Sequence, residues 1–140
     1  MSTDDDLLLR DALVQMSFEV MGRLTQLAAE EGMSLTQLRV LGVLRDRTPR
    51  MADLAKGLGL DRSSVTGLID RAQQRGLVER VAEEGDGRVV RVALTDEGLR
   101  TAERMVARMS ELLTDVVAPL PAATKRSLRE GLELAFVPRF

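Results

Sequence analysis

From Leu7 to Ala29 apolar residues recur at steps of three and four, through Leu9, Leu13, Met16, Val20, Leu24 and Leu27. That is the period of one helix face, so the segment predicts a long amphipathic helix ending near Gly32. Ser34 stands three residues before Gln37, a spacing at which each side chain satisfies a free backbone donor of the other. Leu38, Leu41 and Leu44 then carry a second helix to about Arg45. Thr48 before Pro49 predicts a short third helix with proline in its first position, where no amide hydrogen is needed. Its apolar positions are Ala52, Leu54, Ala55 and Leu58, and Gly59 is its left-handed stop. Asp61 is suited to cap a fourth helix that turns Val65, Leu68, Ile69 and Ala72 inward and stops at Gly76.

Beyond Gly76 the period changes to two. Leu77 to Ala82 and Val89 to Leu94 are valine-rich runs separated by the polar stretch Glu83 to Arg88, which predicts a β-hairpin with a polar tip. Thr95 can cap a long helix with Asp96 and Glu97 in its first turn, continuing through Leu99, Ala102, Met105 or Val106, Met109, Leu112 and Val116. Pro119 and Pro121 interrupt it, a last helix follows through Leu128, Leu132 and Ala135, and Phe136 to Phe140 form an irregular tail. The expected class is mainly α with one small hairpin, in a single chain unit of residues 1–140.

Composition narrows the function by what is missing. With neither cysteine nor histidine, zinc sites of the usual kind, thiol switching and imidazole catalysis are excluded, and no cofactor or metal is expected. Trp and Tyr are absent and Phe occurs three times, so an aromatic platform for single strands is excluded too. No apolar run approaches the ~18 residues of a membrane span, and Asp4 to Asp6 stand where a secretory signal would be positive, so a cytoplasmic protein is expected. The net charge of −2 divides unevenly: residues 1–31 carry −5, residues 32–95 carry +3, and residues 96–140 balance. Only the middle is basic, and by little, so phosphate binding must depend on where the arginines stand.

Short helix, tight turn, second helix, hairpin is the order of a winged helix-turn-helix, in which the second helix enters the major groove of double-stranded DNA. With its apolar stripe inward, that helix turns Ser63, Thr66, Gly67, Asp70 and Gln74 outward, flanked by Arg62, Ser64 and Arg71. Small hydroxyls and arginines suit phosphates and base edges, although the serines also suit a capped first turn. Gly67 costs about 1 kcal/mol relative to alanine inside a helix; close approach to DNA and simple tolerance of an exposed glycine explain it equally well. As an enzyme the chain offers only Ser63 or Ser64 with Lys56, and capping explains those serines better.

The run Leu54-Ala55-Lys56-Gly57-Leu58-Gly59-Leu60-Asp61-Arg62-Ser63-Ser64-Val65-Thr66-Gly67-Leu68-Ile69-Asp70-Arg71 resembles the helix-turn-helix of the multiple-antibiotic-resistance regulator (MarR) family. Arg75 to Arg80 is similar to its segment leading into the wing. Asp86-Gly87-Arg88 followed by Leu94-Thr95-Asp96-Glu97-Gly98 is similar to its wing signature of Asp-x-Arg and Leu-Thr-x-x-Gly. The resemblance implies a homodimeric transcriptional regulator, a repressor in the main reading, on a palindromic operator. Residues 34–98 would form the DNA-binding lobe, and residues 5–31 and 99–140 the helices that interlock across the two-fold axis. It further implies Arg88 of each wing in a minor groove, with Asp86 beside it to orient the guanidinium, and release by a small anionic or aromatic effector. Met16, Met21, Met105 and Met109 are candidates to line an apolar pocket, or to fill the core. The alternative from another class is a winged-helix protein-interaction module without DNA binding of its own; the wing arginine and the hydroxyl-rich helix face count against it.

Overall fold

The computed structural model describes residues 3–136. Seven helices and one hairpin follow in the order α1 (Thr3–Glu30), α2 (Leu35–Leu44), α3 (Met51–Leu58), α4 (Arg62–Gln74), β1 (Val78–Glu83), β2 (Asp86–Leu94), α5 (Asp96–Glu111), α6 (Thr114–Val117) and α7 (Ala122–Ala135). The architecture is the expected helical winged helix-turn-helix. Ser34 and Gln37 form the reciprocal cap of α2: the Gln37 amide donates to Ser34 Oγ at 3.1 Å, and the Ser34 amide donates to Gln37 Oε1 at 2.8 Å. Gly32, Gly59 and Gly76 take positive φ and end their helices, as the stop signals require.

The core is aliphatic. Leu41 of α2, Leu54 of α3, Val65 and Ile69 of α4, Val78 and Val92 of the hairpin and Met105 of α5 are fully enclosed, and all four inward positions of α4 are buried. The outer helices differ. Only Leu27 and Ala28 of α1 and no residue of α7 are buried in the single chain, so Leu7, Leu8, Leu13, Phe18, Leu128 and Leu132 stay exposed.

Three local expectations are corrected. Thr48 and Pro49 do not start α3, which begins at Met51 after Arg50 without a side-chain cap. They lie instead along β2: the Val92 amide donates to the Pro49 carbonyl at 2.9 Å, Arg91 Nη1 donates to the Thr48 carbonyl at 2.9 Å, and Arg50 bridges Arg91. An edge partner for the wing thus outcompetes one more helical turn. The hairpin strands also reach further than expected, closing around Glu84 and Gly85, while the register slips between Ala82 and Glu83 so that Gly87 to Val89 have no partner on β1. Finally, the long helix ends at Glu111, well before the prolines. Arg23 of α1 donates to the Leu112 carbonyl, the acceptor that the next turn would need, and pairs with Asp115 at 2.7 Å. Of the irregular tail, residues 137–140 lie outside the described residues.

One contact joins the end of α4 to the start of α5. Thr95 Oγ1 accepts from the Gly98 amide at 3.0 Å and itself donates to the Gly76 carbonyl at 2.6 Å, while the Thr95 amide donates to the Leu77 carbonyl at 3.1 Å. Gly98 is pressed so closely on that backbone that a Cβ would stand 1.8 Å from the Leu77 oxygen. The Leu-Thr-x-x-Gly signature therefore has a steric cause. Gly98→Ala is expected to destabilise the fold by about 3 kcal/mol or more, beyond ordinary overpacking because backbone must move. Urea denaturation checks this, and a midpoint unchanged from the parent would contradict it.

Candidate nucleic-acid interface

Asp61 fixes where α4 begins. Its Oδ1 accepts from the Ser64 amide and from Ser63 Oγ, each at 2.7 Å, and these bonds hold the carboxyl below the usual aspartate range. Ser63 thus spends its proton on the cap, and Thr66 Oγ1 donates back to the Arg62 carbonyl at 2.9 Å. Arg62, Ser63, Ser64, Thr66, Asp70, Arg71 and Gln74 are all exposed on one face, with Gly67 half-buried among them. A Cβ at Gly67 would meet only the movable Arg71 Nη1, at 3.4 Å, so nothing within the chain requires glycine there.

Between α4, the start of α3 and β2 lies an open cleft of about 450 Å³, lined by Arg50, Arg62, Thr66, Arg80, Arg88 and Val90. Its arginines fall into two sets. Arg50 is paired with Glu83 at 2.8 Å, and Glu83 also takes Arg91 at 2.6 Å. Both partners pull the Glu83 carboxyl below its usual range, Arg50 the more strongly. Arg80 reaches from β1 to Asp70 at 2.6 Å and to Gln73, tying wing to recognition helix. Arg62 and Arg88 line the same cleft, and their guanidinium groups have no hydrogen bond or ion pair among the described residues; those of Arg71, further along α4, have none either.

The structure brings the sequence-derived residues together on one side, with two differences of detail. Asp70 faces Arg80 of the wing. Asp86 does not hold the Arg88 guanidinium: its Oδ1 accepts the Arg88 backbone amide at 3.0 Å, shaping the loop while the side chain stays unpaired. Arg50 and Arg80 were missed. Period-two counting from buried Val78 puts Arg80 on the side of β1 that faces α4, a usable signal; Arg50 had none, because Thr48-Pro49 reads as a helix start.

A recognition helix beside an arginine-lined wing defines a winged helix-turn-helix of the DNA-binding class. A sequence profile of the MarR family matches residues 31–89. The HTH-type transcriptional regulator PecS of Dickeya dadantii is 28% identical over 129 residues, covering 89% of this chain and 78% of PecS. Wild-type MarR from E. coli superimposes with a TM-score of 0.78 at 24% identity over 91% of this chain and 96% of the other. MepR of S. aureus, in its complex with DNA, does so with a TM-score of 0.73 at 19% identity over 90% and 94%. Residues 31–89 thus match the MarR family, and most of the chain is similar to HTH-type transcriptional regulators rather than to enzymes. Among the described residues no helix is long and apolar enough to cross a membrane.

The lowered Asp61 carboxyl gives its cap a defined pH dependence. Folding stabilises the charged form, so the contribution is full above the ordinary aspartate value of ~3.9 and is lost as pH falls through the lower folded value. Asp61→Ala should therefore lower stability at neutral pH, with the difference from the parent shrinking under acid conditions. Urea titrations across pH test this; a difference unchanged into strong acid would contradict the assignment.

Proposed function

We propose that the chain is a homodimeric repressor that reads a palindromic operator, placing α4 in the major groove and the wing in the adjacent minor groove. The observation that carries this is the cleft in which Arg62 and Arg88 stand unpaired while neighbouring Arg50 and Arg80 are held by carboxylates. Unpaired guanidiniums on a surface otherwise rich in ion pairs are the groups that phosphates and a narrow minor groove attract. Arg62 and Arg71 serve the backbone and base edges from the two ends of α4. Ser63, Ser64, Thr66 and Gln74 lie between them, and Gly67 permits close approach. Asp70 acts through Arg80, and Asp86 acts by shaping the loop that carries Arg88.

Residues 34–98 are the DNA-binding lobe in this reading, and residues 5–31 and 99–140 dimerise. The argument for the dimer is solvation: Leu8 is 67% exposed, Phe18 63% and Leu134 87%, on helices that the single chain leaves uncovered. A second copy bringing the same helices covers them symmetrically. The effector site is the cavity of about 620 Å³ between α1, α2 and α5. Met21, Leu24, Leu38, Val43 and Met109 give it apolar walls, and its charged lining is Arg39, Arg47 and Asp46, the last paired with Arg45 at 2.9 Å, a net positive charge that suits a small apolar anion. Of the other two methionines considered for it, Met105 is buried in the core and Met16 lies exposed on α1. Such a protein works in the cytoplasm.

Sedimentation at micromolar concentration should show a dimer and no folded monomer; a folded monomer would overturn the dimeric reading. Selection from a random DNA pool should yield an inverted repeat. On that site Arg88→Ala is expected to weaken binding by about 1–3 kcal/mol per wing and to flatten the salt dependence, with the fold intact. Anisotropy titrations at several salt concentrations check this. Equal affinity and equal slope for variant and parent would remove the wing from the interface.

A further inference from the structure

The recognition helix is held from behind. Arg75, the C-cap residue directly after α4, carries a guanidinium that faces away from the cleft and crosses to the end of α1. There Nη2 donates to the Glu31 carbonyl at 2.7 Å and Nη1 to the Gly32 carbonyl at 3.2 Å. Both acceptors belong to the turn after α1, where helix carbonyls lack intrahelical donors. Glu31 is bound a second time: its carboxylate takes Arg104 of α5 at 3.3 Å, beside the pair formed by Glu30 and Arg108. One residue therefore joins the recognition helix through its backbone and α5 through its side chain.

We propose that Arg75 is a positioning residue that sets the angle of α4 against the α1 and α5 scaffold, and through it the half-site spacing the dimer accepts. The proposal rests on the reading of a dimer on a two-half-site operator. The mechanics are those of a lever. α4 has 13 residues, so its DNA-facing start lies ~18 Å from its anchored end. A small rotation at Arg75 becomes a displacement of several ångströms at Arg62. One base pair added between half-sites moves them apart by about 3.4 Å and turns them by about 35°. A helix fixed at its base rejects that change; one free to swing accommodates it. Gly76, in the left-handed conformation immediately after Arg75, turns the chain there; its amide and that of Leu77 donate back to the Gln73 and Ala72 carbonyls of α4, so the Thr95 bonds hold the base of α4 from the α5 side and Arg75 sets it from the α1 side.

The test uses the full-length dimer and three duplexes built from the selected operator: native spacing, one base pair added and one removed, with an unrelated duplex as reference. Arg75→Met keeps the aliphatic stem and removes the donors; Arg75→Lys keeps the charge and a single donor nitrogen. Glu31→Gln weakens the α5 arm and leaves the Arg75 acceptors in place. The parent should prefer native spacing clearly. Arg75→Met should lose about tenfold on the native site, within the cost of one ordinary mismatch, while gaining relative affinity for the altered spacings. Arg75→Lys should restore part of the preference, and Glu31→Gln should fall between. Affinity for the unrelated duplex should not change. An equal loss on all four duplexes would mean that Arg75 serves as a phosphate contact, and an unchanged spacing profile would mean that it positions nothing; either overturns the proposal. A parent that binds no operator would instead overturn the DNA-binding reading on which it stands.

Discussion

Backbone meets backbone where α4 ends, and most of the fold is arranged around that contact. Gly98 can rest on the Leu77 carbonyl because it has no Cβ, and Thr95 uses its amide and hydroxyl to hold the same turn. The hairpin leaves α4 and returns to α5 through this point, so the wing, the recognition helix and the first scaffold helix share one origin. Arg75 adds α1 from the opposite side. The geometry of the cleft between α4 and the wing is thus determined some distance behind it, by contacts outside the cleft.

An acidic chain that binds a polyanion must arrange its charges by position. Three carboxylates close to the cleft are occupied: Asp61 by the Ser63 hydroxyl and the Ser64 amide, Asp70 by Arg80, Glu83 by Arg50 and Arg91. Each pair removes a repulsive charge from the path of the phosphates while fixing one element to another. Exposed pairs of this kind contribute little to stability singly. Their main effect is on shape and on the local field, which leaves Arg62, Arg71 and Arg88 as the uncompensated cations of that face.

The sequence disclosed most of what depends on neighbours close along the chain. Ser34 with Gln37, Asp61, Gly59 and the Val65-Leu68-Ile69-Ala72 stripe are local signals, and the structure carries each of them. Most of what escaped depends on partners far away. Thr48-Pro49 satisfies the local rule for a helix start, but Val92, more than forty residues on, claims the Pro49 carbonyl. Leu112 is an ordinary helical residue until Arg23 takes its oxygen. Asp86 beside Arg88 suggested a side-chain pair, whereas the shorter reach to the backbone amide won. Among the arginines of the interface, Arg62, Arg71 and Arg88 were legible by type and face, whereas Arg50 was not. Which of them would be occupied was not, because occupation is decided by Glu83 and Asp70 across a strand register that no single segment contains.

Every cation that lines the cleft is an arginine. Guanidinium keeps its proton at any pH a cell experiences, and unlike a lysine amine it is not a target for acetylation. With no histidine anywhere in the chain, the field presented to DNA has nothing that titrates near neutrality. If the cleft is the DNA-facing surface proposed above, its cations are insulated from changes in acidity and from acylation, and a signal that loosens the grip there acts by moving the arginines rather than by discharging them.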